Sequence, residues 1–151
     1  MQRNPCNDMK GEIMLYNYGL IKFKKMGTNE LGYLSAIEEM RDIPFSIKRV
    51  YYITDVPSGT IRGFHAHRLL HQVLICMQGS VTIKIYNENE KTEIVLNKSD
   101  VGLYLGPMTW REMSNFSKDC VLTVLASEYY SEDDYIRDYD MYLKECETFY
   151  K

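Results

Sequence analysis

The amino-acid sequence predicts an all-β fold, an antiparallel β-barrel or sandwich followed by a short C-terminal helix. Short apolar segments bounded by turn residues recur along most of the chain. They are spaced about 8 to 12 residues apart, which is typical of such folds. Within several segments, apolar and polar side chains alternate as in a strand with one buried face. Only the segment after Ser131 has a helical period. With 151 residues, the chain is long enough for one domain with a buried core.

The first third of the chain contains three predicted strands. Residues 1–12 are polar and mixed in composition, and we expect them to form a flexible N-terminal extension to a single domain comprising residues 13–151. The strands are predicted where β-branched and aromatic residues are frequent. They occupy residues 13–23 (IMLYNYGLIKF), 32–39 (GYLSAIEE) and 47–54 (IKRVYYIT).

The middle of the chain continues with strands separated by short turns. In residues 80–86 (SVTIKIY), every second side chain from Val81 to Ile85 is apolar, which predicts one buried face. Residues 87–91 (NENEK) predict a hairpin turn. The remaining strands are predicted at residues 71–77 (HQVLICM), 92–96 (TEIVL), 101–107 (VGLYLGP), 109–116 (TWREMSNF) and 120–127 (CVLTVLAS).

The last segment, SEDDYIRDYDMYLKECETFY, changes to a helical period. Ser131 is the predicted helix N-cap, and the acidic residues after it suit the positive end of the helix dipole. Four side chains then recur at helical spacing and predict a packing face. They are Tyr135, Ile136, Tyr139 and Tyr142.

Composition excludes several classes of partner. A net charge of −3 without any basic cluster argues against nucleic acid. No apolar run approaches the roughly 20 residues that cross a bilayer, and the first residues contain no apolar signal core, so we expect a cytoplasmic protein. The four cysteines are far apart in sequence, and we expect them to be reduced. They are Cys6, Cys76, Cys120 and Cys146.

All three histidines lie within residues 59–74, GTIRGFHAHRLLHQVL. His65 and His67 are two residues apart, so on a strand they project from the same face. Such a pair favours proton transfer, with one ring as the neutral base and its neighbour as the protonated acid in a coupled titration. The alternative is that both rings only form hydrogen bonds inside the barrel. His71 precedes the next strand and can point outward.

The spacing of residues 59–79 resembles the first motif of the cupin superfamily, antiparallel barrels of jelly-roll type. The positions that match are Gly59, His65, His67, Gln72 and Gly79. Metal-binding cupins have a glutamate where Gln72 stands and a further histidine in a second motif. The corresponding region here, residues 102–116, has no histidine but contains Trp110, Arg111 and Glu112. An amide is a weak ligand for a divalent metal ion and an arginine repels it, so we expect no bound metal. Glu112 and His71 are the only other residues that could complete a metal site.

Longer stretches resemble the WxcM-like dTDP-4-keto-6-deoxyhexose 3,4-ketoisomerases. They are DIPFSIKRVYYI, RGFHAHRLLHQVLICMQGSV, VGLYLGPMTWREM, DCVLTVLASEYY and DYIRDYD, within about residues 30–142. The resemblance implies isomerisation of a dTDP-linked 4-keto-6-deoxyhexose without cofactor or metal, for 3-amino sugar synthesis. A base removes the C3 proton to give an enediolate, and a proton then returns at C4. It also implies a homodimer with exchanged N-terminal strands.

Carried over by position, the family's paired histidines are His65 and His67, and its strand tyrosine is Tyr51 or Tyr52. We favour Tyr51, which shares a face with Arg49, as the catalytic tyrosine and keep Tyr52 as a substrate-binding candidate. Arg49 and Arg62 are the candidates for binding the diphosphate. Gln72 is expected to bind the sugar or to orient a histidine.

The stereochemistry of the product is expected to depend on two positions near the sugar, Arg111 and Leu31. Arginine at position 111 resembles the members that give the gluco product, whereas Leu31 departs from the polar or tyrosine side chain expected there. Three alternatives remain at this stage: a 3,5-epimerase acting on the same class of substrate, a non-catalytic sugar-binding cupin, and a metal-dependent cupin dioxygenase.

Overall fold

Antiparallel strands make up most of the structure, a computed structural model that describes residues 17–86 and 91–151. A 3₁₀ turn (Glu132–Asp134) and the helix α1 (Tyr139–Phe149) follow near the C-terminus. The strands are β1 (Tyr18–Lys22), β2 (Met26–Thr28), β3 (Gly32–Leu34), β4 (Arg49–Ile53), β5 (Arg62–His67), β6 (Gln72–Gln78), β7 (Val81–Tyr86), β8 (Lys91–Leu96), β9 (Val101–Leu105), β10 (Trp110–Ser114), β11 (Val121–Ala126) and β12 (Tyr135–Ile136).

Two five-stranded sheets form the body of the protein. One has the order β1-β9-β6-β11-β4 and the other the order β12-β5-β10-β7-β8, while β2 and β3 form a separate two-stranded hairpin. Neighbouring strands in all three sheets are antiparallel. The predicted all-β fold with a short C-terminal helix is therefore confirmed. The predicted extension 1–12, the start of the first predicted strand and most of the turn 87–91 lie outside the described residues.

The main core lies between the two sheets. The apolar face predicted for β7 is buried there, with Val81, Ile83 and Ile85 beside Leu74 and Cys76 of β6, although Thr82 on the opposite face of β7 is buried too. A second core lies on the outer side of the first sheet. It combines residues of the loop after β3 with strand side chains, namely Ile43, Phe45, Val73, Ile75 and Tyr104. Because β6 is thus covered on both faces, its sequence is continuously apolar rather than alternating.

The C-terminal helix starts later than predicted. Ser131 precedes only the 3₁₀ turn and makes no capping hydrogen bond through its side chain. The N-cap of α1 is Asp138, which accepts a hydrogen bond from the backbone N–H of Met141 at 2.8 Å. The prediction of one helical stripe is wrong for Tyr135 and Ile136, because these residues are extended and pair with β5. No helix in residues 17–86 or 91–151 is long and apolar enough to span a membrane.

A glycine lets β5 approach β10 closely at the end of the barrel. Gly63 has φ of +94°, and a Cβ there would lie 2.8 Å from the carbonyl oxygen of Arg111. The pairing of the two strands shifts by one residue beside Arg111, as in a β-bulge. This arrangement puts Arg111 directly opposite His65 in the register of the two strands. Backbone geometry therefore positions the functional residues described next.

Candidate active site

A cavity of about 360 Å³ opens where β4 and β5 meet the segment before α1. Its wall includes an imidazole, three guanidinium groups and three phenol rings. These belong to Arg49, Tyr51, Arg62, His65, Tyr130, Tyr135 and Arg137. Such a mixture of aromatic surface and cations suits a ligand with polar rings and negative charge.

The structure divides the predicted site residues into three sets. Arg49, Tyr51, Arg62 and His65 line the cavity. Three others are buried side chains behind its wall, each at most 3% exposed, and they are His67, Gln72 and Arg111. Tyr52 requires a correction: its side chain is 70% exposed and does not line the cavity, because side chains along β4 alternate and Tyr51 takes the inward direction.

The two imidazoles are adjacent, as predicted from their spacing on β5. Their ring centroids are 4.8 Å apart and the rings meet edge to face at 86°. The ring of Tyr135 packs against both, with centroid distances of 5.0 Å to His65 and 4.3 Å to His67. His65 is therefore the imidazole beside the cavity, and His67 lies deeper with only 1% of its surface exposed.

Both imidazoles are neutral near pH 7, which corrects the prediction of one neutral and one protonated ring. Burial, and then the nearby Arg111 cation, lower the pKa of His65 to about 3. The same two causes, with His65 as a further one, lower the pKa of His67 still more. The Nδ1 atom of His65 lies 3.1 Å from the carbonyl oxygen of Gly63. Because a carbonyl only accepts, Nδ1 carries the proton and Nε2 carries the lone pair.

Asp134 fixes the tautomer of the second histidine, and sequence analysis did not identify it. Its Oδ2 atom lies 3.0 Å from Nδ1 of His67, and its Oδ1 atom accepts the backbone N–H of Leu69 at 2.7 Å. With a neutral ring this contact is a hydrogen bond from Nδ1–H to a carboxylate, which leaves the lone pair on Nε2. Its sequence signal, an acidic run after Ser131, was attributed to the start of a helix.

Arg111, Gln72 and Tyr51 form a hydrogen-bonded chain beside the histidines. Nη1 of Arg111 donates to Oε1 of Gln72 at 3.1 Å, and Nε2 of Gln72 donates to the hydroxyl oxygen of Tyr51 at 2.9 Å. Gln72 thus contacts neither histidine by hydrogen bond among the described residues, contrary to one of the two roles predicted for it. Burial lowers the pKa of Arg111 to about 10, so the group remains a cation at neutral pH.

Several buried polar atoms near the cavity have no hydrogen-bond partner within the described part of the chain. They are Nε of Arg49, Nε2 of His67, and both Nε and Nη2 of Arg111. Buried polar groups in folded proteins are nearly always paired, so their concentration here indicates a binding site for a polar molecule. Arg111 in particular offers two donors that a developing oxyanion could accept.

Three residues considered in the sequence lie elsewhere. The Nδ1 atom of His71 lies 2.7 Å from the hydroxyl of Tyr104 in the outer core, and Glu112 accepts a hydrogen bond from the Tyr86 hydroxyl at 3.2 Å. Leu31 lies between β2 and β3 with 90% of its surface exposed, away from the cavity of its own chain. Within the described ranges, no three His, Cys, Asp or Glu side chains are grouped to hold a metal ion.

Comparison with known proteins gives consistent matches. The family described as "FdtA: WxcM-like, C-terminal" matches residues 16–147. The TDP-4-oxo-6-deoxy-α-D-glucose-3,4-oxoisomerase of Aneurinibacillus thermoaerophilus is 54% identical over 125 residues, covering 83% of this chain and 89% of that protein.

Two crystal structures of QdtA, a 3,4-ketoisomerase from Thermoanaerobacterium thermosaccharolyticum, are also similar. Its complex with TDP has a TM-score of 0.87 and 54% identity, covering 91% of this chain and 99% of that one. A histidine-to-asparagine mutant in complex with TDP-4-keto-6-deoxyglucose has a TM-score of 0.85 and 54% identity, covering 88% and 96%.

The depressed pKa values of the histidines predict that folding stability decreases in weak acid. Unfolded histidines bind protons below about pH 6.5, whereas the folded chain resists protonation of His65 and His67, so stability is present above that pH and lost below it. Each histidine should contribute a loss of about 1 kcal/mol in the free energy of unfolding between pH 6 and pH 5. Urea unfolding at both values measures this loss. His65→Asn should reduce it; an equal pH dependence in that variant would contradict the assignment.

Asp134→Asn is expected to change the tautomer of His67. Both carboxylate oxygens accept hydrogen bonds, but an amide has one acceptor, which we expect to stay with the backbone N–H of Leu69. The amide NH₂ then donates to Nδ1, and the ring proton moves to Nε2. Nitrogen-15 NMR of the ring distinguishes the two tautomers. Asp133→Asn is the matched control and should leave the spectrum of His67 unchanged, and an unaltered spectrum in Asp134→Asn would refute the role of this carboxylate.

Proposed function

This chain belongs to the FdtA group of WxcM-like proteins, and on that basis we propose that it isomerises dTDP-4-keto-6-deoxy-D-glucose to the 3-keto sugar. The family match confirms the resemblance predicted from the sequence and spans most of the chain. The names of its relatives support the predicted enzyme class, a TDP-sugar 3,4-ketoisomerase. The observation that carries the proposal is a cavity lined by a neutral imidazole and a tyrosine hydroxyl, with a buried guanidinium behind its wall.

The reaction transfers two protons within the substrate, and no electrons pass to an external acceptor. A proton passes from C3 to C4, and a second proton passes from the C3 hydroxyl to the oxygen on C4. The intermediate is an enediolate with negative charge on its oxygens. Catalysis therefore requires a base near the two carbons, a proton donor near the oxygens and a positive charge. These requirements involve no redox cofactor, and the three groups above correspond to them one by one.

We assign the carbon-bound proton to His65. This ring lines the cavity, is neutral near pH 7 and has its lone pair on Nε2 because Nδ1 donates to Gly63. It can accept the C3 proton and return it at C4 as the imidazolium. His67 is the second member of the proposed catalytic pair: its neutral ring packs against His65 and adds no repulsive charge when the imidazolium forms.

Tyr51 and Arg111 are assigned to the sugar oxygens. The Tyr51 hydroxyl protonates the oxygen on C4 and recovers a proton from the oxygen on C3, which completes the second transfer. Arg111 stabilises the enediolate through donors that have no partner among the described residues. An arginine at this position is also the basis for proposing the gluco product, and 3-amino-3,6-dideoxyhexose synthesis as the use of that product.

Arg49 and Arg62 are proposed to bind the diphosphate of the nucleotide. Both line the cavity, and guanidinium groups bind phosphate oxygens in a forked geometry. The guanidinium of Arg49 is already fixed between rings, 5.3 Å from the centroid of Tyr51 and 5.7 Å from that of Tyr130. Its orientation therefore costs little entropy when a ligand binds. A cytoplasmic location, which the three described free cysteines fit, is also part of the proposal.

We also propose a homodimer with exchanged N-terminal strands. The first strands and the turn between β2 and β3 expose several large apolar side chains, and contact with another chain would remove them from water. Each of the following is at least 43% exposed: Leu20, Met26, Leu31, Tyr33 and Leu34. Contact with a second copy would bury them, and the exchanged strands would bring Leu31 to the partner's sugar site.

Product analysis tests the proposed reaction. Incubation with dTDP-4-keto-6-deoxyglucose should give an isomer of unchanged composition whose ¹³C spectrum shows the keto carbon at C3. His65→Asn should lower kcat by roughly 10² to 10⁴, as expected for loss of general acid–base catalysis. A 3,5-epimerase would instead retain the keto carbon at C4 and incorporate deuterium from heavy water at C3 and C5. A sugar-binding protein would give no product, and either result would reject the proposal.

Light scattering after size-exclusion chromatography tests the dimer. The wild-type chain should have twice the mass of a single chain. Replacing Leu20 and Leu34 together by lysine should favour monomers, because charge at a buried apolar contact is costly. Val95→Lys is the control, since this residue is 58% exposed on β8 of the other sheet. A wild-type monomer, or an equal effect of both substitutions, would rule out this interface.

A further inference from the structure

We propose that Gln72 is a positioning residue that fixes the direction in which the Tyr51 hydroxyl donates its proton. This inference rests on the proposed isomerisation, in which Tyr51 serves the sugar oxygens. Gln72 takes no part in the chemistry itself. It acts through the hydrogen bonds that join it to Arg111 on one side and to Tyr51 on the other.

The first step concerns the orientation of the amide. A guanidinium group has donors and no acceptor, so the Gln72 atom that lies 3.1 Å from Nη1 of Arg111 must be the oxygen. The opposite orientation would place NH₂ against NH₂ in a buried site, leaving both groups without an acceptor. Arg111 therefore fixes the amide, and Nε2 of Gln72 must be the atom facing Tyr51.

The second step concerns the phenol. An amide NH₂ group donates and does not accept, so the hydroxyl oxygen of Tyr51 accepts the 2.9 Å hydrogen bond from Gln72. The hydroxyl proton must then point away from Gln72. Tyr51 lines the cavity, so a proton that points away from Gln72 is available to the cavity, where the substrate is proposed to bind. A tyrosine without this partner could rotate its O–H to other acceptors.

The third step concerns rigidity. Gln72 is 3% exposed and Arg111 2% exposed, so water does not compete for their hydrogen bonds. The strands also hold the groups in register: β11 lies between β6 and β4, with Ala126 opposite Gln72 and Val124 opposite Tyr51. The small side chain of Ala126 leaves space for Gln72 to reach across the intervening strand.

A glutamate at position 72 should reverse the hydrogen bond to Tyr51. A carboxylate accepts from Arg111 as the amide does, but it also accepts the Tyr51 O–H. The substitution keeps the size of the side chain and turns the phenol proton away from the cavity. Gln72→Met removes both hydrogen bonds without supplying an acceptor, so the Tyr51 hydroxyl remains free to donate to substrate.

The test is a double-mutant cycle on Gln72 and Tyr51, with kcat and KM measured by the formation of the 3-keto product. Every assay contains EDTA, so that contaminating divalent metal ions cannot bind to the carboxylate introduced by Gln72→Glu. Tyr51→Phe should lower kcat by roughly 10², and Gln72→Glu by a similar factor with little change in KM. In the Tyr51→Phe background, Gln72→Glu should cost less than a further factor of about three. Gln72→Met should retain kcat within about tenfold of wild type.

Thermal unfolding identifies variants that fail to fold. If Gln72→Glu fails to fold, the kcat of Gln72→Met is compared with that of the wild-type chain instead. Multiplicative losses in the double variant, or wild-type kcat in Gln72→Glu, would overturn the proposal. So would a greater loss in Gln72→Met than in Gln72→Glu, because that order indicates a packing role. The proposed isomerisation is tested independently of this cycle, by analysing the product formed by the wild-type chain.

Discussion

A buried cation is the group on which the electrostatics and hydrogen bonding of this site depend most. The Arg111 side chain is 2% exposed, and no carboxylate neutralises it through an ion pair among the described residues. Burying a charge without an ion-pair partner costs folding free energy. Here the buried charge of Arg111 acts on the titratable and polar side chains next to it. After burial, it is the next largest cause of the lowered pKa of both His65 and His67, and it orients Gln72. A negatively charged intermediate is the species that such a site would stabilise most.

The same cation distinguishes the surroundings of His65 and His67 from those of the paired histidines in metal-binding barrels. A divalent ion needs anionic or strongly donating ligands, whereas this site offers an amide at Gln72 and a guanidinium at Arg111. Both features favour an anion over a dication. Burial, with the Arg111 cation as a second cause, keeps both imidazoles neutral, so each ring retains a nitrogen lone pair that can accept a proton. In the proposed reaction, the paired imidazoles therefore serve acid–base chemistry rather than metal binding.

The sequence predicted features that depend on local pattern and missed those that depend on distant pairing. Alternation along a strand was sufficient to place His65 beside His67 and to put Tyr51 and Tyr52 on opposite faces, but it did not fix which of the two tyrosines faces inward. The contact between His67 and Asp134 joins residues 67 positions apart, and it exists because β12 pairs with β5. Protonation states were also beyond prediction. Spacing indicated a coupled pair, but the burial that keeps both rings neutral is a property of the folded barrel.

The C-terminal segment is therefore a structural part of the site. Arg68, the residue after His67, forms a two-pronged contact with Glu145 of α1 at 2.7 and 2.9 Å and also donates to the carbonyl oxygens of Asp133 and Tyr135. These bonds hold the segment that presents Asp134 to His67 and the Tyr135 ring to both imidazoles. The helix itself is anchored by Tyr142, whose hydroxyl donates to the carbonyl oxygen of Met108 at 3.1 Å. A tail that resembles a simple packing helix in sequence thus determines which nitrogen of a buried histidine carries its proton.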